Sequence, residues 1–423
     1  MVINVICVDN CVLKWYSLLY TNTKYELSVF NNKGKLMKLL KIVVDGLPLF
    51  KEKIDICFFA QQRVSEEQRD YLYPLFSTVF LNTTNVFAGI NASGKTSTLK
   101  VIFLALQLLL NRPINDIREK DILGQSDNVT FNIFYYSEST AEICKLETNI
   151  AFKKMGGEGP IYRIVSERLW GKKATKITAR THLLDFGDAE LLIERNNQEK
   201  FLAEDISIII AKNKEINDTP EVISLLDFTN INVLPFKGKI PLEIIAYLDP
   251  SIEYLIFEKD ERHSIHLKFK WENELVLFNP IELNKYLSSG TIRGIFIFTL
   301  ALDILQKGGY ILVDELENHF NKEIVCTIIR FFKSYKLNKN GGTLVYSTHY
   351  PELLDENDRN DNIFITKNYG GITVENLRDL LKRNDLKKSD VYQSGILTGT
   401  APSYNAYIEL KRKFESSIIP IKE

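Results

Sequence analysis

The strongest constraint on how this chain can fold is the stretch Val86 to Lys100, VFAGINASGKTSTLK. Within it, Gly89-Ile-Asn-Ala-Ser-Gly94-Lys95-Thr96 fits G-x-x-x-x-G-K-[ST], the pattern of a loop that cradles phosphates. Gly89 and Gly94 can take backbone angles that bulkier residues resist, so successive N–H groups can turn inward around an anion. Lys95 is spaced to reach a β- or γ-phosphate as a point charge, and the Thr96 hydroxyl to take a coordination position on Mg²⁺. The flanks agree: Val86 to Ala88 reads as the end of a buried strand, and Thr96 to Leu110 as a long apolar helix. The positive N-terminus of that helix faces the anion. Gly89, Asn91, Ala92, Ser93, Gly94, Lys95, Thr96 and Ser97 are the nucleotide-contacting candidates.

A length of 423 residues allows two or three domains, and 45% hydrophobic with 25% charged residues is ordinary for a chain that buries a sizeable core. The formal charge of −1 sets up no net field towards nucleic acid or a membrane, although a local patch escapes that test. Five cysteines, Cys7, Cys11, Cys57, Cys144 and Cys326, form an odd set without C-x-x-C spacing. They suggest neither a disulfide framework nor zinc, though Cys7 and Cys11 could join a remote metal ligand. No basic region precedes a signal-peptide core, and no apolar run reaches membrane-spanning length. The expectation is a reduced cytoplasm and no membrane partner.

In chain order, NVICV, YELSVF, LKIVV and IDICFFA read as short strands, separated by turns such as Asn31-Asn32-Lys33-Gly34. Lys33, Lys35, Lys38 and Lys41 form a small basic cluster, read as a solvated strand face. SEEQRDYLYPLF suggests a short helix interrupted near Pro74. From Val129 to Trp170, VTFNIFYY, AEICKLETNIAF and IYRIVSERLW alternate like half-buried strands of an antiparallel subdomain. Residues 171–250 are mixed, with helices expected near Asp188–Glu199 and Pro220–Phe228. No sustained heptads occur, which argues against a coiled-coil arm.

Two later blocks carry chemistry. After the strands YLIFE, SIHLKFKW and ELVLF, the turn Leu287-Ser288-Ser289-Gly290-Thr291 precedes an apolar helix. Serine hydroxyls and a glycine at a helix N-terminus suit an anion, or simply cap the helix. Then Gly309-Tyr-Ile-Leu-Val-Asp314-Glu315-Leu-Glu317 is a short apolar strand ending in carboxylates. Ligand sites in parallel sheets lie at such carboxyl ends. Asp314 is placed to hold the Mg²⁺ shell and Glu315 to polarise an attacking water, with Glu317 the next candidate. A helix over Lys322–Tyr335 leads to the strand TLVYSTH, whose His349 could sense a terminal phosphate.

The order of these pieces resembles the ABC-type ATPases, specifically the soluble RecF/SMC/Rad-fifty-like group. In that resemblance GINASGKT is the phosphate loop, LSSGT the signature motif, ILVDE the Walker B strand with its catalytic glutamate Glu315, and His349 the switch histidine. More narrowly, LPLFKEKIDICFFAQQRV, YLSSGTIRG and DELENHF resemble compact bacterial ATPases of the OLD type. Many of those serve in phage defence beside a nuclease or other effector. Ser289 and Thr291 stand where transporters show glycine and glutamine, and Gln125 is a poor candidate for the Q-loop. Only about seventy residues follow His349, short of a typical domain, so a Toprim nuclease is not expected on this chain.

The resemblance implies an α/β fold: an ABC-type core with a mixed sheet flanked by helices, an antiparallel β subdomain and a mixed α/β insertion. The expected divisions are an N-terminal lobe over 1–128, the insertion over 129–250 and a C-terminal lobe over 251–423. ATP and Mg²⁺ are the implied ligands. Two protomers sandwich two nucleotides, each held by one chain's phosphate loop and the other's Ser288, Ser289 and Gly290. The implied function is a nucleotide-gated switch in antiviral defence, acting on a separate effector protein. The alternative is a DNA-repair or chromosome-handling ATPase that binds nucleic acid directly. A small-substrate kinase fits poorly, since it has no use for a signature supplied in trans.

Overall fold

A computed structural model of the protein describes residues 36–157, 159–177, 179–195, 202–216, 219–226, 238–258, 264–318, 320–383, 385–395, 397, 399–400 and 404–418. The strands expected at NVICV and YELSVF, the turn at 31–34, Cys7, Cys11, Lys33 and Lys35 lie outside these residues. The larger of two compact units comprises Gly34–Thr229, Ile304–Glu317 and Val325–Glu423, and the smaller includes Asn230–Asp303 and Asn318–Ile324.

Two six-stranded sheets build the larger unit, with strands numbered along the chain. One is antiparallel, in the order β2 (Ile54–Cys57), β1 (Met37–Asp45), β6 (Val129–Ser137), β7 (Glu142–Gly156), β8 (Gly159–Lys173) and β9 (Glu190–Glu194). The antiparallel subdomain expected from Val129 onward is therefore present, and it recruits β1 and β2 from before the phosphate loop. The other sheet is mixed, in the order β10 (Val222–Leu225), β15 (Tyr310–Val313), β16 (Thr343–Thr348), β5 (Thr84–Ala88), β17 (Ile363–Asn368) and β18 (Ile372–Asn376). Its strands run parallel except for β18, which returns antiparallel on β17. β5, β15 and β16 are buried along their whole length, as central strands of a sheet covered on both faces are, and each carries an apolar stretch at its centre, VFA, YILV and LVY.

The helix Lys95–Leu109 lies in a single hydrophobic core with both sheets. Leu99, Ile102, Leu106 and Leu109 share that core with Ile42 and Val44 of β1, Ile133 of β6, Phe87 of β5, Leu312 of β15 and Val345 of β16. Packed among sheet residues, this helix is apolar nearly all round, as a core helix must be. Its N-terminus is thereby held rigidly where β5 ends.

Several local expectations are corrected. The helix expected at Pro220–Phe228 is instead β10, because its short apolar run VISL pairs in register with YILV of β15; a run of that length carries no periodicity to separate strand from helix. At Asp188–Glu199 the described part is the edge strand β9, paired on β8. SEEQRDYLYPLF forms only a 3₁₀ turn at Glu67–Tyr71, and Pro74 sits in β3 (Tyr73–Phe76), which pairs with β4 (Val79–Leu81) in a two-stranded sheet where a missing donor is tolerated. Lys38 is not on a solvated face. It is buried, and its Nζ donates to Gly308 O at 2.8 Å, Asn340 O at 2.5 Å and Gly341 O at 3.1 Å. Three carbonyls left over at a helix end and a strand start make a place for a buried ammonium that no sequence pattern announces. Lys41 pairs with Asp55 at 2.8 Å.

The smaller unit contains a four-stranded antiparallel sheet, β11 (Gly238–Lys239), β12 (Ile252–Phe257), β13 (Ile265–Phe269) and β14 (Leu275–Leu277). The helix Leu242–Leu248 packs closely on the helix that begins at Ser289: a Cβ added at Gly294 would meet Leu248 Cδ2 at 2.6 Å, and Tyr247 meets Phe298 edge-on at 5.6 Å. That helix, Ser289–Lys307, is long and apolar enough by composition to cross a membrane, which corrects the expectation that no run reaches that length. Most of it is buried in the protein, as a core helix would be.

Candidate nucleotide site

The register of the mixed sheet sets the site. Thr348 of β16 lies opposite Ala88 of β5, Tyr346 opposite Val313 of β15, and Ile365 of β17 opposite Ala88. The loops leaving these carboxyl ends, beginning at Gly89, Asp314 and His349, therefore emerge side by side. They border a cavity of about 490 Å³ lined by Asn91, Ala92, Ser93, Gly94, Lys95, Thr96, Ser97, Glu315 and His349, with Leu49, Asn368 and Ile372 on its margin. The volume is in the range of small-molecule sites.

Backbone conformation explains the loop. Gly94, at φ +100°, stands at the N-cap of Lys95–Leu109, and Ala92 is also left-handed at +59°. A Cβ at Gly94 would come within 2.5 Å of the Ile372 side chain, and one at Gly89 within 2.4 Å of Thr366 Oγ1. Both positions thus require glycine, one for its φ and both for space. Ser93 Oγ meets Thr366 Oγ1 at 2.7 Å, and Asn368 donates to Ala92 O at 3.1 Å. β17 therefore buttresses the loop, a role its sequence, NIFITKN, gave no reason to assign.

Lys95 is buried, and its Nζ donates to Gly89 O at 2.9 Å and Ile90 O at 3.1 Å and meets His349 Nδ1 at 3.2 Å. An ammonium has only donors, so Nδ1 accepts, and the Nε2–H of the same ring is given to Glu315 Oε1 at 2.9 Å. Burial lowers the Lys95 pKa, and nearby Asp314, Glu315 and Glu317 oppose that shift without cancelling it. Thr96 Oγ1 donates to Asp314 Oδ2 at 2.6 Å.

The acidic loop is stitched onto the end of β16. Ser347 Oγ donates to Asp314 Oδ1 and accepts from Glu315 N at 2.7 Å, while Leu316 N donates to Ser347 O at 3.1 Å. Glu317 Oε1 accepts from His349 N at 2.6 Å. Glu315 is held at φ +49°, an uncommon conformation for a residue with a side chain and one that persists only where the surroundings over-determine it. In the sequence Ser347 is only one residue of the strand TLVYSTH; its part in fixing Asp314 and Glu315 depends on strand register.

The remaining candidates lie elsewhere. Ser288, Ser289 and Gly290 belong to the smaller unit, where Ser288 Oγ caps the helix, accepting from Thr291 N at 3.0 Å. Gln125 does not line the cavity. His319 falls outside the described residues, and among those described no cluster of three or more His, Cys, Asp or Glu side chains could hold a metal ion. A threonine hydroxyl beside a carboxylate is a different donor set, two hard oxygens of the kind Mg²⁺ takes while keeping waters.

Residues 161–355 match an AAA domain. The family model is described as "AAA domain, putative AbiEii toxin, Type IV TA system", and it covers just under half of the chain. The matched range starts after the phosphate loop and contains Asp314, Glu315 and His349. Glu315 and His349, within the matched range, line the same cavity as residues 91–97 of the loop. No curated protein sequence matches. Among solved structures, one titled as the recombination mediator protein RecF with ATP in the RecFOR pathway is similar, at 12% identity and a TM-score of 0.33, over 81% of this chain and 99% of that one. A likeness that distant carries no assignment of its own.

Proposed function

We propose that the protein is an ABC-type ATPase that hydrolyses ATP to ADP and phosphate and uses the nucleotide state as a switch. The observation that carries this reading is the juxtaposition of Lys95, the Thr96–Asp314 pair and Glu315–His349 around one cavity at the carboxyl ends of β5, β15 and β16. Free N–H groups at the start of Lys95–Leu109 and the Lys95 ammonium bind the phosphates. Thr96 and Asp314 would hold Mg²⁺, which when bound neutralises charge on the phosphate oxygens. Glu315 orients a water and accepts its proton as the bond between β- and γ-phosphate breaks, and His349 holds the Glu315 carboxylate in place.

Ser288, Ser289 and Gly290 complete the site from a second copy of the chain, giving a homodimer with two nucleotides. The capped helix start, with Ser288 exposed and Ser289 and Gly290 half-buried, is suited to an anion presented by another molecule. The matched family is described in terms of a toxin–antitoxin system, which supports a cytoplasmic defence role alongside a second polypeptide as effector. The test is ATP hydrolysis by the purified chain with and without Mg²⁺, joined to light scattering of Glu315→Gln. Glu315→Gln should bind ATP, hydrolyse it slowly and accumulate as a stable dimer. Hydrolysis at the wild-type rate in Glu315→Gln would refute the assignment of Glu315, and strongly salt-dependent DNA binding would favour a nucleic-acid-handling ATPase.

A further inference from the structure

Glu315 lines the cavity and Glu317 does not. Glu317 is only 5% exposed, and Oε1 accepts the backbone N–H of His349 at 2.6 Å. Its second oxygen, Oε2, is buried and makes no hydrogen bond to another of the described residues. Burying a carboxylate costs free energy, which is offset where the carboxylate accepts from a donor that would otherwise stay unpaired. The site keeps it nonetheless, and the contact it makes explains why.

β16 ends at Thr348, so the His349 N–H is the first that the strand leaves without a ladder partner on the β15 side. The chain of bonds from the acidic loop to β16 runs Asp314 to Ser347, Glu315 N to Ser347, Leu316 N to Ser347 O, and finally Glu317 to His349 N. The last member is supplied by a side chain. It continues the pairing one residue past the sheet and ties the peptide of His349 to the loop that carries Glu315. The imidazole, anchored at its backbone, then spans Lys95 Nζ at 3.2 Å and Glu315 Oε1 at 2.9 Å.

We infer that Glu317 is a positioning residue: its Oε1 fixes the His349 backbone so that the ring bridges Lys95 and Glu315 in the geometry hydrolysis needs. The inference rests on the ATPase reading for its kinetic consequence but not for its structural one. What matters at Oε1 is an acceptor, not a charge, and glutamine offers the same carbonyl in the same place.

The experiment compares Glu317→Ala and Glu317→Gln in the full chain by steady-state ATP hydrolysis and by hydrogen exchange read at the His349 amide. For Glu317→Ala, kcat should fall about 10- to 100-fold, the effect of leaving one buried backbone N–H without its acceptor. KM for ATP should stay within about twofold, since Lys95, Thr96 and the loop are untouched. Glu317→Gln should keep kcat within about threefold of wild type. At the His349 amide, exchange should accelerate in Glu317→Ala and remain slow in Glu317→Gln. Equal loss of kcat in both variants, with the His349 amide still protected in Glu317→Gln, would overturn the inference in favour of a role for the negative charge. Unchanged exchange in Glu317→Ala would overturn it outright. If the wild-type protein hydrolyses no ATP, the functional reading fails while the exchange comparison still decides whether Glu317 holds His349. Should Glu317→Ala not fold, loss of amide protection in Glu317→Gln would count against the inference and retention for it.

Discussion

Replacing Lys95 with methionine separates what the lysine does for the fold from what it does for the ligand. In the structure its Nζ bonds to Gly89 O, Ile90 O and His349 Nδ1, and burial holds its pKa below the ordinary lysine value. The sign follows from linkage. A lysine with a lowered folded pKa binds its proton less readily folded than unfolded, so near neutral pH its charge counts against stability, and that penalty is relieved as pH rises towards 10.5, its unperturbed value. Methionine keeps most of the stem packing and removes the desolvated charge, a gain that offsets the donor lost to Gly89 O and Ile90 O. Unliganded Lys95→Met should therefore be about as stable as wild type, within about 1 kcal/mol. Its response to ATP should differ sharply. Losing the contacts of one ammonium with phosphate costs about 2–3 kcal/mol, or roughly 30- to 150-fold in Kd. At an ATP concentration of about 100 times the wild-type Kd, ligand stabilisation of about 2.7 kcal/mol should shrink to about 0.4 kcal/mol for a hundredfold weaker variant. Chemical denaturation at fixed Mg²⁺, with and without ATP, reads both quantities, and a phosphate-release assay follows turnover, expected at background. ATP-dependent stabilisation of Lys95→Met within 0.5 kcal/mol of wild type would mean that the ligand does not sit on this lysine.

Mixing two inactive variants tests the composite site: with Ser288→Arg obstructing the helix start and Lys95→Ala removing the ammonium, a mixed dimer keeps one intact site. Equal mixing with free exchange should restore roughly a quarter of wild-type activity if the sites are independent; no recovery despite demonstrated exchange would place the signature in cis or require both sites to fire together. Lys38 offers a pH test far from the nucleotide. Burial, only partly opposed by Glu138, lowers its pKa to about 8, so its stability penalty is full below pH 8 and is relieved between about 8 and 10.5. Lys38→Met should flatten that alkaline rise in unfolding free energy, and a pH profile parallel to wild type would show that Lys38 titrates normally.

The pieces of the candidate site were legible in the sequence as strand ends and loops because each is short and contiguous. Gly89 to Ser97, the apolar strand ending in Asp314 and Glu315, and the strand ending in His349 each declare a strand end and a polar loop without reference to the rest of the chain. Strand type was legible as well where the run was long or alternating, as from Val129 to Trp170. It failed at VISL and at β9, where short runs can be strand or helix and pairing with a distant partner decides.

What only the tertiary structure decided is which of these pieces meet. The parallel register of β15, β16 and β5 brings Thr96 against Asp314 and sets Ser347 between Asp314 and Glu315. The partners concerned lie 32 to 218 residues apart along the chain. The buried Lys38 and the Glu317 bond to His349 arise in the same way, from backbone groups left unpaired where a helix or strand stops. A sequence states which side chains can donate or accept, but the orphaned carbonyl or N–H that recruits them exists only once the elements have packed.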